Sequence, residues 1–209
     1  MFSLRIISAC FVLATSPAVA IEVSGAARII DGDTIVVGRQ VVRIAGIDAF
    51  EDGQPQGKNA TNAMRELVVS GVRCSGEGYD DYDRLIATCY SNGIDIGEAQ
   101  VRAGHALAYR RYSSAYIEAE DHARARKSGA WRKSFVAPWD FRSERWKSAS
   151  QEAPDPDCPI KGNISGNGHI YHVPWSRWYS RTKINTAKGE RWFCDEAQAL
   201  AAGWRAPLR

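Results

Sequence analysis

From Val23 to Val37, and again from Gln40 to Ile47, β-branched residues recur throughout, and Asp31-Gly32 and Gly38-Arg39 punctuate the run. The pattern predicts strands joined by tight turns. Between Asn59 and Val69 the apolar positions Ala60, Ala63, Met64, Leu67 and Val68 recur at helical spacing, and Gly71 follows as a stop. Gly71–Glu77 and Arg84–Tyr90 read as two antiparallel strands turning at about Tyr79–Asp83. Asp95-Ile96-Gly97-Glu98 is a capping box ahead of a short helix through Arg102, closed by Gly104. A third helix is expected from Tyr116 to Lys127, with Arg124, Arg126 and Lys127 as a solvated face. Lys147–Asp157, with Ser, Gln, Ala and two prolines, reads as a linker. Beyond it, residues 158–209 carry glycine-rich turns, four tryptophans and a last helix around Glu196.

One register in this pattern makes a demand. Arg43 and Asp48 are an odd number of residues apart, so unbroken alternation would put them on opposite faces. If both serve one site, the strand must bulge or stop near Gly46.

The start of the chain stands apart from the fold. Residues 1–20 have Arg5, an apolar stretch from Ile6 to Thr15 and a small-residue Ala18-Val19-Ala20 ending, the pattern of a secretory leader, which predicts a mature chain from Ile21 exported to the periplasm or medium. The apolar run is too short to span a bilayer. Cys10 would be discarded with the leader, leaving Cys74, Cys89, Cys158 and Cys194 for an oxidising compartment. Cys74 and Cys89 face each other across the predicted hairpin, close enough for a disulfide, with two buried thiols as the alternative. Cys158 and Cys194 could staple a segment too small for a strong core of its own. They could also join His169 and His172 around zinc, although those histidines, three apart in extended chain, should point to opposite faces.

Charge divides the chain further. Residues 21–157 hold 18 Lys/Arg against 21 Asp/Glu, net −3, whereas residues 158–209 hold 8 against 3, net +5. The first part cannot attract a polyanion through its overall field and would depend on local groups; the basic end could add attraction.

Chemistry concentrates in Ile29-Ile30-Asp31-Gly32-Asp33-Thr34 and Val42-Arg43 through Asp48-Ala49-Phe50-Glu51. Carboxylates can share a pocket when a hard cation offsets their repulsion, and arginine offers a bidentate fork to phosphate oxygens. Taken alone, Asp-Gly is ordinary turn chemistry. Two later runs, Asp81-Tyr82-Asp83-Arg84-Leu85-Ile86-Ala87 and Val101-Arg102-Ala103-Gly104-His105-Ala106-Leu107-Ala108-Tyr109, follow in order at compatible spacing. On these four motifs, over residues 24–135, the chain resembles the staphylococcal nuclease (thermonuclease-like) family.

That resemblance implies an α+β fold: a five-stranded OB-type β-barrel with about three helices, here followed by a small disulfide-stapled C-terminal module. It implies a calcium-dependent phosphodiesterase acting on DNA and/or RNA, with one Ca2+ held by Asp33, Asp48 and the Ala49 backbone carbonyl, and Asp31 acting through water. Glu51 falls on the position that activates the attacking water, and Arg43 and Arg84 on the two that stabilise the transition state. Tyr109 falls on a nucleotide-pocket tyrosine, with a tyrosine capping the core as the alternative; Arg111, close by, suits phosphate pairing. The resemblance brings in no membrane span and no obligate protein partner.

Two departures bear on activity. Where the family commonly has proline, Phe50 stands, so the fixed φ that would aim Glu51 is missing. The usual Tyr-Gly-Arg turn is Tyr82-Asp83-Arg84, which Asp can follow because it tolerates the left-handed conformation. Two other functions stay open: a nucleic-acid-binding module with weak or no turnover, and a cell-surface interaction protein placed by its C-terminal part. The latter, residues 158–209, resembles the sunset domain, giving the expected units 1–20, 21–146, 147–157 and 158–209.

Overall fold

The computed structural model describes residues 20–208, so the expected leader lies, except for Ala20, outside the described residues. Strands β1 (Ile21–Gly25) and β2 (Ala27–Ile29) are the two halves of one bent strand. They lie at opposite ends of the path β1-β6-β7-β4-β3-β2, in which β3 is Thr34–Val37, β4 Gln40–Ile44, β6 Val72–Tyr79 and β7 Leu85–Ser91. Because only Ala26 separates β1 from β2, the sheet curls round and closes on itself, as an OB-type barrel must. Short β5 (Ile47–Ala49) leaves this sheet and pairs instead with β9 (Ala106–Ala108), while β8 (Ile94–Asp95) extends β7.

The barrel core comes from β4, β6 and β7, where buried positions alternate, and from β3 and β5, which are buried throughout. Ile35, Val42, Ile44, Ile47, Leu85 and Ala87 are almost wholly buried, and Met64 and Ala60 of α1 (Gly57–Leu67) close one end. Helix α2 (Ile96–Arg102) starts as expected, with Asp95 accepting from the Glu98 amide, and α3 (Ile117–Ala125) packs against it. Cys74 and Cys89 are directly paired across β6–β7 and joined by a disulfide.

Three features differ from the sequence reading. The strand expected over Gln40–Ile47 stops at Ile44, because Gly46 adopts φ +73° and turns the chain into β5. Helix α4 (Pro138–Ser150), started by Pro138 at its first turn, runs through the expected boundary at residue 146, so residues 147–150 are helical and the connection shortens to 151–157. The third difference is that α4 itself was not among the expected helices, whereas α5 (Glu196–Ala201) stands where the last helix was expected.

The C-terminal module is a three-stranded antiparallel sheet, β11-β10-β12, of β10 (Ile160–Ser165), β11 (Gly168–His172) and β12 (Arg191–Phe193). Ile160, Tyr171, Phe193, Ala199 and Trp204 form its small core, and Trp146 of α4 packs on it. Cys158 and Cys194 form the staple, which takes both thiols away from zinc. His172 instead meets Asn163 Oδ1 at 3.0 Å, and His169 stacks on Trp204. Among the described residues no helix is long and apolar enough to cross a membrane.

Candidate active site

The turn after β4 answers the register problem: by leaving the sheet at Ala45-Gly46, the chain brings Asp48 back to Arg43, whose Nη2 donates to Asp48 Oδ1 at 3.1 Å. The other flank of the site is the β2–β3 turn. Gly32 is required there by close approach, since a Cβ would sit 2.8 Å from both Ala49 Cβ and Ala60 Cβ. Buried Gln100 fastens this turn, donating to the carbonyls of Gly32 and Ala60 at 2.7 and 3.0 Å. Asp33 is thereby pressed against β5, where its Oδ2 accepts the Ala49 N–H at 2.7 Å and its Oδ1 the Thr34 hydroxyl at 3.0 Å. In this arrangement Ala49 meets Asp33 through its N–H.

Arg43 Nη1 lies 2.6 Å from Asp33 Oδ2, but it is also a buried nitrogen with no well-directed hydrogen-bond acceptor. The ion pair is close in distance and poorly aligned, which leaves Nη1 able to serve another oxygen. Asp31 accepts the Asp33 amide at 3.0 Å. Burial and the adjacent Asp33 charge push Asp31 above the ordinary carboxylate range. Burial acts on Asp33 in the same direction, yet Arg43 and the Ala49 amide outweigh it and hold that carboxyl low. Of this pair, Asp31 therefore holds a proton more readily and Asp33 keeps the charge.

Glu51 completes the acidic group. Burial, with the Asp31 and Asp33 charges adding, raises its pKa to about 8 despite the opposing Arg142. Its loop is not slack for want of proline. Phe50 is 1% exposed, meets Phe135 edge-on at 5.3 Å, and packs with Leu107 and Ala130 in a satellite core. Gln54 clips the loop as well, its Oε1 accepting the Glu51 amide at 2.7 Å and its Nε2 donating to the Val136 carbonyl at 2.9 Å.

Arg84 is placed differently from expectation. Asp83 does take the left-handed conformation, φ +57°, and Asp80 accepts the Tyr82 and Arg84 amides, which fixes the turn. The Arg84 guanidinium, however, is paired with Asp80 Oδ2 at 2.7–2.8 Å and not with the Asp33, Asp48 and Glu51 carboxylates. Burial works against its charge, but Glu196 and Asp80 outweigh this and raise its pKa.

The residue that sequence reasoning missed is Arg142 of α4. It donates to Asp48 Oδ1 and Oδ2 at 2.9 and 2.8 Å and to Glu51 Oε1 at 2.6 Å. Burial is again opposed, and outweighed, by Asp48 and Glu51, so its pKa rises further. Nearby, Tyr109 and Arg111 line a cleft with Arg110, Arg124, Trp131 and Trp139. Tyr109 lies parallel to Trp139, ring centroids 6.0 Å apart, and Arg110 is engaged by Glu120.

With this geometry in hand, likeness to known proteins has a physical counterpart. The family model described as Staphylococcal nuclease homologue matches residues 41–133, which include Arg43, Asp48, Glu51 and Arg84. An "Uncharacterized endonuclease" of Escherichia coli O157:H7 is 34% identical over 127 residues, covering 56% of this chain and 83% of the relative. A "Micrococcal nuclease" of Shigella flexneri is 32% identical over 171 residues, covering 72% and 95%. Another "Uncharacterized endonuclease", from Haemophilus influenzae, is 34% identical over 112 residues, covering 50% of this chain, and the chain spans 63% of that relative's length. The chain belongs to the staphylococcal nuclease family. Residues 142–206, which take in most of the segment that resembles the sunset domain, match the model of a second family described as ArfC.

Proposed function

We propose that the chain is an exported, calcium-dependent nuclease hydrolysing phosphodiester bonds of DNA and/or RNA. The observation that carries this reading is Arg43 held between Asp33 and Asp48, beside a loop that presents Glu51. Family membership and the names of its relatives support the reaction class.

The donor set fits a hard cation in kind, being carboxylate and carbonyl oxygen. It does not fit one in its present arrangement. Both Asp48 oxygens accept from guanidinium groups, and among the described residues no three His, Cys, Asp or Glu side chains are grouped to hold an ion. Asp33, Asp48 and the Ala49 carbonyl would hold the ion, which when bound would polarise a phosphoryl oxygen and offset its charge.

The remaining work falls to the chain's own groups. Arg43, with one misaligned nitrogen, is suited to turn Nη1 to a non-bridging phosphate oxygen and neutralise charge that grows in the transition state. Glu51 in its ionised form is suited to accept a proton from water, and with its pKa raised to about 8 that form grows as pH rises. Arg84 would have to exchange Asp80 for phosphate to act as the second arginine. Two disulfides support export to an oxidising compartment.

A weakly active nucleic-acid-binding module is the second reading, favoured by Arg142 on Asp48 and Glu51. One assay separates them. The chain from Ile21, with its disulfides formed, should degrade DNA or RNA in calcium and stop when calcium is chelated. Binding without metal-dependent cleavage would transfer the case to the second reading.

A further inference from the structure

Three side chains of helix α4, at i, i+3 and i+7, share one face. Trp139 lies parallel to Tyr109, Arg142 bridges Asp48 and Glu51, and Trp146 faces Trp175 of the C-terminal module at 6.4 Å. The first two of these contacts fall on the groups that the proposed reaction needs free. A guanidinium sits on the carboxylates where a cation would sit, and an indole lies parallel to Tyr109, 6.0 Å away, in the cleft where a base would stack.

We propose that α4 is an intramolecular competitor of the nuclease site: Arg142 occupies the cation's place and Trp139 the base's place, so calcium binding and the docked helix exclude each other. The inference rests on the reading of the site given above.

Three further observations support it. Only Pro138 and Ala149 of α4 are buried, so the helix is held mainly by ionic and aromatic contacts and not by an aliphatic core. Such contacts can be released, because a buried ion pair contributes little net stability when its charges can be satisfied another way. A divalent cation is that other way, supplying two positive charges to Asp48 and its neighbours where Arg142 supplies one. Second, the C-terminal module holds the helix in place from outside. Arg177 Nε reaches Asp52 Oδ2 at 3.4 Å, next to the Glu51 loop, while Trp146 ties α4 to the module core. Third, one guanidinium reaches both oxygens of Asp48 and Oε1 of Glu51, so its departure frees both carboxylates at once.

Calcium affinity decides the matter, measured by titration calorimetry on the disulfide-bonded chain from Ile21 and on Arg142→Ala and Arg142→Gln. Removing the competitor should tighten calcium binding about ten-fold or more, because a docked fraction of nine-tenths lowers apparent affinity by that factor. Affinity that is unchanged or weaker in both variants, or calcium binding by neither wild type nor variant, overturns the proposal. Should neither variant fold, hydrogen exchange on the wild type takes over. Saturating calcium should then speed exchange across residues 138–150, and unaltered protection overturns the proposal. The nuclease reading is tested separately in the same samples. Tighter calcium binding in the variants without any cleavage keeps the competitor and removes the nuclease; calcium-dependent cleavage with unaltered affinity does the reverse.

Discussion

Two arginines meet on Asp48, and they are held in unlike ways. Arg43 belongs to β4, an interior strand hydrogen-bonded to β3 on one side and β7 on the other, and its side chain is 15% exposed. Arg142 comes from a helix with two buried residues, lies 94 positions from Asp48 in sequence, and is 25% exposed. Both make short ion pairs, so contact distance alone would rank them equal. Anchoring separates them: the strand arginine cannot leave without opening the barrel, whereas the helix arginine can leave with its helix. A permanent part of a site and an occupant of it can thus present the same local geometry.

The largest expected effect tests the permanent side. Glu51→Gln keeps the shape of the loop but removes the proton acceptor, and should lower the cleavage rate by about 10²–10⁴-fold while nucleic-acid binding is retained. A variant cleaving at near wild-type rate would remove Glu51 from the chemistry.

Next comes the contrast between the arginines themselves. Arg43→Ala leaves Asp33 and Asp48 buried side by side, and should cost about 3–5 kcal/mol in chemical denaturation without calcium. Arg142→Ala should cost less, and calcium should restore more of that loss than it restores in Arg43→Ala. Equal losses and equal rescue would erase the distinction drawn between strand and helix.

A smaller effect belongs to the Glu51 loop. Gln54→Ala strands the Glu51 amide and the Val136 carbonyl, so it should destabilise by about 1–3 kcal/mol and lower cleavage without altering calcium affinity. A change in calcium affinity as large as that of an Arg142 variant would place Gln54 on the occupant's side.

How much of this could be read from sequence depends on the reach of each interaction. The strands, the capping box and the Cys74–Cys89 pair are local or follow from hairpin symmetry, so alternation and spacing disclose them. Asp33, Arg43, Asp48 and Glu51 lie within twenty residues and converge because the barrel folds that segment back, a change of direction that Gly46 signals. The pairing of Arg84 with Asp80 was hidden because the same residues also read as a turn preceding a catalytic arginine. Gln100 was hidden because a buried amide is recognised only by the carbonyls it satisfies. Arg142 had a faint signal, Trp139, Arg142 and Trp146 at helical intervals, but the charged stretch around it has no apolar stripe to declare a helix. Its role depends on contacts across most of the chain, which local pattern does not carry.

The smallest expected effect, and the one that sharpens the comparison most finely, is the change that Arg142 makes in the pH dependence of stability without calcium. Glu51 has a folded pKa of about 8 against an ordinary 4.5, so the folded state favours its protonated form. The contribution is present in full at low pH and is lost as pH rises between those two values, because the unfolded chain then releases a proton that the folded chain retains. Melting temperature in chelator should therefore fall across this interval, and Glu51→Gln, which cannot ionise, should make the fall shallower, leaving the part that comes from Asp31, whose pKa is raised to about 7. Asp33, held low by Arg43 and the Ala49 amide, acts with the opposite sign but at more acid pH, so the two slopes fall in different windows. Arg142 is the charge that resists the rise at Glu51, and removing it should steepen the fall above neutral pH. If Arg142→Ala leaves the slope as it is in wild type, the guanidinium is not what limits the rise at Glu51, and the helix side of the site carries less of the electrostatics than its contacts suggest.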